Sequence, residues 1–106
     1  MKTIGIIGGM SSESTVSYYQ LINQMTNAKL GKLHSAKIVI TSVDFEQIEL
    51  LQNSGKWEEA GKTLAKEAKR LESAQCDFII LATNTMHKVA SQIESVNELF
   101  TITNYV

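Results

Sequence analysis

Three short apolar runs, each followed by a polar turn and an amphipathic segment, decide what this chain can fold into. They are Thr3-Ile4-Gly5-Ile6-Ile7, Ala36-Lys37-Ile38-Val39-Ile40-Thr41 and Phe78-Ile79-Ile80-Leu81-Ala82. Short runs rich in β-branched residues suit strands buried on both faces. Between them the period lengthens. Ser11-Ser12-Glu13-Ser14 reads as an N-cap and first turn. Val16, Tyr19, Ile22 and Met25 then recur every three residues, with Tyr18 and Leu21 beside them, and predict the apolar face of a helix that Gly31 stops. After the second run, Asp44 is placed to cap a helix over about Phe45 to Gln52, with Gln47 as its capping-box partner. Asn53-Ser54-Gly55 breaks that helix, and Trp57, Ala60, Leu64, Ala68 and Leu71 mark a longer one.

The third run leads through Thr83-Asn84-Thr85 into a stripe of Met86, Val89, Ala90, Ile93 and Val96, and Phe100 to Val106 reads as a fourth strand. The order is β-α-β-α-α-β-α-β. Alternation of this kind predicts an α/β domain: a parallel four-stranded sheet with right-handed crossovers, flanked by helices.

Composition narrows the possible partners. The 106 residues are 43% hydrophobic, enough for one domain with a modest core. Ten basic residues against eleven acidic ones give no electrostatic reason to expect nucleic acid or an anionic membrane surface. No apolar stretch reaches the roughly 18 residues of a membrane span, and the start, Met1-Lys2-Thr3-Ile4-Gly5, lacks the apolar region of a signal peptide. A single cysteine makes neither an internal disulfide nor a cysteine-based metal site. The expectation is a cytoplasmic domain whose partner is a small molecule or a protein.

In an open parallel sheet, ligands bind beyond the carboxyl ends of the strands. Three connections should lie there: Gly8 to Ser14, Ser42 to Gln47, and Thr83 to His87. The Gly8-Gly9-Met10-Ser11-Ser12 turn is neither a dinucleotide fingerprint nor a P-loop. Its glycines let backbone N–H groups approach a ligand, and the helix start beyond it favours an anion. The plain alternative is a tight turn and nothing more. Thr83-Asn84-Thr85 offers two hydroxyls and an amide that could clamp a carboxylate, or else simply cap the next helix. His87 could act as a base but falls one turn into its helix. His34 and Cys76 sit in connections at the opposite ends of the strands, and Cys76 reads as a packed thiol. The charges of the long helix (Lys62, Lys66, Glu67, Lys69, Arg70 and Glu72) read as a solvated face.

Lys2-Thr3-Ile4-Gly5-Ile6-Ile7-Gly8-Gly9-Met10 resembles the start of aspartate/glutamate racemases. Asn84-Thr85-Met86-His87 is similar to the family's Cys-Asn-Thr-x-His pattern, and His34-Ser35-Ala36-Lys37 to Ser42-Val43-Asp44-Phe45 looks like its broad-specificity subgroup. The match runs from residue 1 to about 98 with unbroken spacing. The resemblance implies the flavodoxin-like N-terminal half of a two-domain racemase that needs neither pyridoxal phosphate nor metal. In that family one thiol from each domain flanks the substrate Cα. By position, Thr83 takes the place of the first thiol. Met10, Ser11, Asn84 and Thr85 would bind an aspartate or glutamate substrate. The arginine that holds the substrate's side-chain carboxylate in other members has no counterpart within Gln47 to Gln52, which leaves Gln52 as the best donor. The second domain, with its Gly-Cys-Thr motif, lies outside the chain, so the 106 residues alone are expected to be inactive. The alternative is a non-catalytic module that binds a carboxylate or forms a homodimer.

Overall fold

The computed structural model describes residues 1–10, 12–82 and 100–101. Its elements are β1 (Thr3–Gly8), α1 (Ser12–Leu30), β2 (Lys37–Ser42), α2 (Phe45–Asn53), α3 (Trp57–Ser73), β3 (Phe78–Leu81) and β4 (Phe100–Thr101). The strands form one parallel sheet in the order β2-β1-β3-β4. Three are full strands. Of the expected fourth, Phe100 to Val106, the described residues contribute the pairs Ile79–Phe100 and Ile80–Thr101, and 102–106 lie outside them. The expected helix beyond Thr83 also lies outside them.

Alternation along each strand divides the sheet into two faces. Ile7, Ile79 and Leu81 point toward α3 and are fully buried. α3 answers with Ala60, Leu64, Ala68 and Leu71, a stripe at helical spacing, while Lys62, Lys66, Lys69, Arg70 and Glu72 stay exposed. The cluster is closed by Met10 and by Ile48 of α2, with Val39, Val43, Leu51 and Trp57 half-buried around it. Each fully buried Leu or Ile stabilises the fold by about 1.5–3 kcal/mol. Glu67 departs from the expected solvated face: its carboxylate accepts a 2.5 Å hydrogen bond from the Thr41 hydroxyl, tying α3 to the outer strand β2.

The opposite face is covered by α1, and here the expected stripe holds only at Ile22, with Tyr18 beside it. Val16, Tyr19, Leu21 and Met25 are exposed, and no residue of α1 is buried. The half-buried positions are Ser14, Thr15, Tyr18, Ile22, Asn23 and Thr26. Apolar residues stand on several sides of this helix, so periodicity alone could not choose among them. The choice is made by Thr15, which is short enough to sit against the backbone of Gly8. A Cβ on Gly8 would lie only 2.7 Å from the Thr15 methyl carbon.

Candidate carboxylate-binding edge

Parallel pairing brings the carboxyl ends of the strands to one edge. Gly8 stands opposite Ser42, and Ile7 stands between Thr41 and Leu81. Beyond the last pairs, the Val43 N–H donates to the Gly8 carbonyl at 2.8 Å and the Ala82 N–H donates to the Ile7 carbonyl at 3.0 Å. Three chain segments thus leave the sheet side by side: Gly9-Met10, Val43-Asp44 and Ala82, the last described residue before Thr83 in the sequence.

The first segment is the best defined. Gly9 has φ +90°, a region that costs a side chain strain, and its Cα lies against β2. A Cβ there would come within 2.5 Å of the Ser42 hydroxyl and of the Val43 carbonyl. The Gly9 N–H donates to Thr15 Oγ1 at 3.0 Å. That donor, expected from sequence to face a ligand, is therefore committed inside the protein. The Met10 side chain is buried in the α2–α3 cluster, so any contact it offers a ligand comes from its backbone.

In the second segment, the Asp44 carboxylate accepts from the Glu46 N–H at 3.1 Å and caps α2 as the sequence suggests. α2 lies close to this edge because Ile48 and Leu51 pack in the same cluster as Met10. Gln52 is half-buried in its last turn, and its carbonyl accepts the Gly55 N–H at 3.0 Å. Of the remaining residues proposed from sequence, Ser11, Thr83, Asn84 and Thr85, with His87, lie outside the described residues.

The opposite edge is plainly structural. Asp77 clasps the start of β1 reciprocally: the Thr3 N–H donates to its carboxylate at 2.6 Å, and the Asp77 N–H donates to the Thr3 carbonyl at 2.8 Å. Cys76 beside it is buried. That burial, and secondarily the Asp77 charge, push its thiol above its ordinary pKa. It is a packed, protonated thiol, as its position in the sequence suggested. An open cleft of about 670 Å³ between α1 and the loop before β2 includes His34, but its central amides are already engaged. Asn23 accepts from the Ala36 N–H at 2.9 Å, and Asn27 donates to the carbonyls of Lys32 and His34. This cleft is a seam that fastens α1 to the loop.

The Asp/Glu/hydantoin racemase family model matches residues 7–98, which takes in all three connections singled out from the sequence. The chain belongs to that family. Two solved structures share its fold closely. One is a candidate Asp/Glu racemase from Yersinia pestis, 51% identical, with a TM-score of 0.92 over 96% of this chain and 44% of that one. The other is an aspartate racemase homologue from Pyrococcus horikoshii OT3, 34% identical, with a TM-score of 0.86 over 96% of this chain and 45% of that one. The racemase-family domain described here therefore spans less than half the length of either chain.

Proposed function

We propose that this domain supplies the substrate-carboxylate clamp and one of the two acid/base groups of an aspartate/glutamate racemase that works without pyridoxal phosphate or metal. The observation that carries the reading is the meeting, at one sheet edge, of the Gly8-Gly9-Met10 turn and the end of β3, where the Ala82 N–H holds the Ile7 carbonyl immediately before Thr83.

The chemistry sets the requirements. One group removes the α-proton, leaving the electron pair of the broken C–H bond delocalised into the carboxylate. A second group on the opposite side of the same carbon returns a proton and inverts the centre. Donors around the carboxylate stabilise the charge that builds there. In this reading the amides from Met10 onward, with Ser11, Asn84 and Thr85, supply those donors. Gln52 reaches the side-chain carboxylate, and Thr83 is the acid/base group on one side. A threonine hydroxyl is a far poorer base than a thiol, whose ordinary pKa is about 8.5, so the two directions of proton transfer should proceed unequally. In this reading the opposing group comes from outside the 106 residues; the chain's one thiol, Cys76, is buried at the other edge. The balanced charge and single buried thiol fit the cytoplasm, where we place the protein.

The test is a pair of measurements on the 106-residue chain. L-aspartate is expected to bind in the millimolar range, seen as shifts of the Met10 and Ser12 amides in ¹⁵N spectra. No α-proton exchange with D₂O above background and no D-aspartate should appear. Steady turnover by the pure chain would overturn the assignment of a single acid/base group. Absence of binding at saturating millimolar aspartate and glutamate would overturn the clamp.

A further inference from the structure

We propose that Thr15 is the positioning residue of the carboxylate-binding turn: by holding the Gly9 N–H and the Gly8 backbone from the α1 side, it fixes which main-chain donors meet the ligand. This rests on the function proposed above and deepens it. Three observations converge on this side chain. Thr15 Oγ1 accepts the Gly9 N–H at 3.0 Å. Its hydroxyl and methyl occupy the space beside Gly8, where a Cβ would stand 2.6 Å from the oxygen and 2.7 Å from the methyl carbon. On the other side of the same two residues, the Val43 N–H holds the Gly8 carbonyl, and Gly9 lies against Ser42 and Val43. The turn is gripped between the first turns of α1 and the exit of β2, and Thr15 is the grip on the α1 side.

The consequence is chemical. A carboxylate arriving at the end of β1 competes for exposed N–H groups. With the Gly9 donor engaged by Thr15, recognition passes to the amides of Met10 and the start of α1, one residue further along. Threonine suits the task because its hydroxyl satisfies Gly9 while its methyl packs on Gly8. Valine keeps the shape and removes the acceptor, which leaves Gly9 unsatisfied and free to turn toward the ligand. Serine keeps the acceptor.

The experiment compares Thr15→Val, Thr15→Ser and Asn23→Ala in the 106-residue chain by ¹⁵N-detected titration with L-aspartate, alongside thermal melts. Asn23 fastens the same helix to the loop before β2, remote from the turn. Thr15→Val should weaken aspartate binding about tenfold and move the Gly9, Met10 and Val43 amide resonances before ligand is added. Thr15→Ser should stay within about twofold of wild type. Asn23→Ala should lower the melting temperature and leave affinity unchanged. Equal affinities in wild type and Thr15→Val would overturn the positioning role while leaving the clamp intact. A parallel loss in Asn23→Ala would reduce Thr15 to a general support of α1. A wild-type chain that binds no aspartate would overturn the clamp and this role together.

Discussion

α1 and α3 are two helices of similar length, 19 and 17 residues, packed on opposite faces of the same sheet, and they are held by different forces. α3 buries Ala60, Gly61, Leu64, Ala68 and Leu71 and packs on β1, β2 and β3. α1 buries nothing fully and is pinned by short polar contacts: Thr15 to Gly9 at one end, Asn23 to Ala36 in the middle, Asn27 to the loop carbonyls near the other. The lesson concerns division of labour. Apolar burial is large and non-directional and makes the domain stable. Hydrogen bonds are small in net worth and strict in geometry, and they set the course of the Gly8-Gly9 turn.

The sharpest way to break this contrast is to truncate matched leucines on the two helices. Leu64→Ala should cost about 2–5 kcal/mol of unfolding free energy in urea melts, because it empties a fully buried site. Leu21→Ala, at a half-exposed position, should cost within about 0.5 kcal/mol. Comparable losses at the two sites would show that α1 is as deeply docked as α3. Gly9→Ala comes next. A β-carbon at φ +90° pressed on Ser42 and Val43 should cost about 1–3 kcal/mol and displace the amides of Gly8 to Met10. A crystal structure showing the turn unmoved would refute the tight-approach argument. Asn23→Ala should cost about 1 kcal/mol by leaving the Ala36 N–H without its partner.

The smallest effect concerns pH and belongs to the well-packed face. The folded state raises the pKa of Cys76, so it keeps the proton that the unfolded chain gives up. The stability tied to this group is fully present below the thiol's ordinary value of about 8.5 and declines as pH rises above it. Cys76→Ala, although less stable at neutral pH, should show a flatter alkaline decline in urea midpoints. An unchanged slope would assign the decline to other groups.

Much of this architecture was legible in the residues. The three apolar runs became β1, β2 and β3 with ends shifted by a residue or so, and Asp44 caps α2 where a polar residue before an apolar segment should. α3 was readable because its apolar residues form one stripe and its charges the other. α1 was not, because Val16, Tyr19, Leu21, Ile22 and Met25 surround the helix, and what settles its rotation is a threonine fitting against glycine backbone. Glu67 was misread for a related reason: it sits among solvated charges in sequence, and only the fold brings the Thr41 hydroxyl to it. At the site edge, the glycine turn was found from sequence, but the engagement of the Gly9 donor was hidden, since a hydrogen bond six residues along the chain leaves no periodic mark. The family motif pointed to Thr83, Asn84 and Thr85, and the registry of β1 with β3 puts the preceding Ala82 beside Ile7.

The sequestered sulfur at the far edge has a practical corollary. With the chain's one native thiol shielded from alkylating reagents until the domain opens, a cysteine introduced in place of Thr83 would be the only other thiol, and its modification could be followed by itself. Its rate of modification, with and without a dicarboxylic ligand, would serve as an optical gauge of occupancy against a silent background.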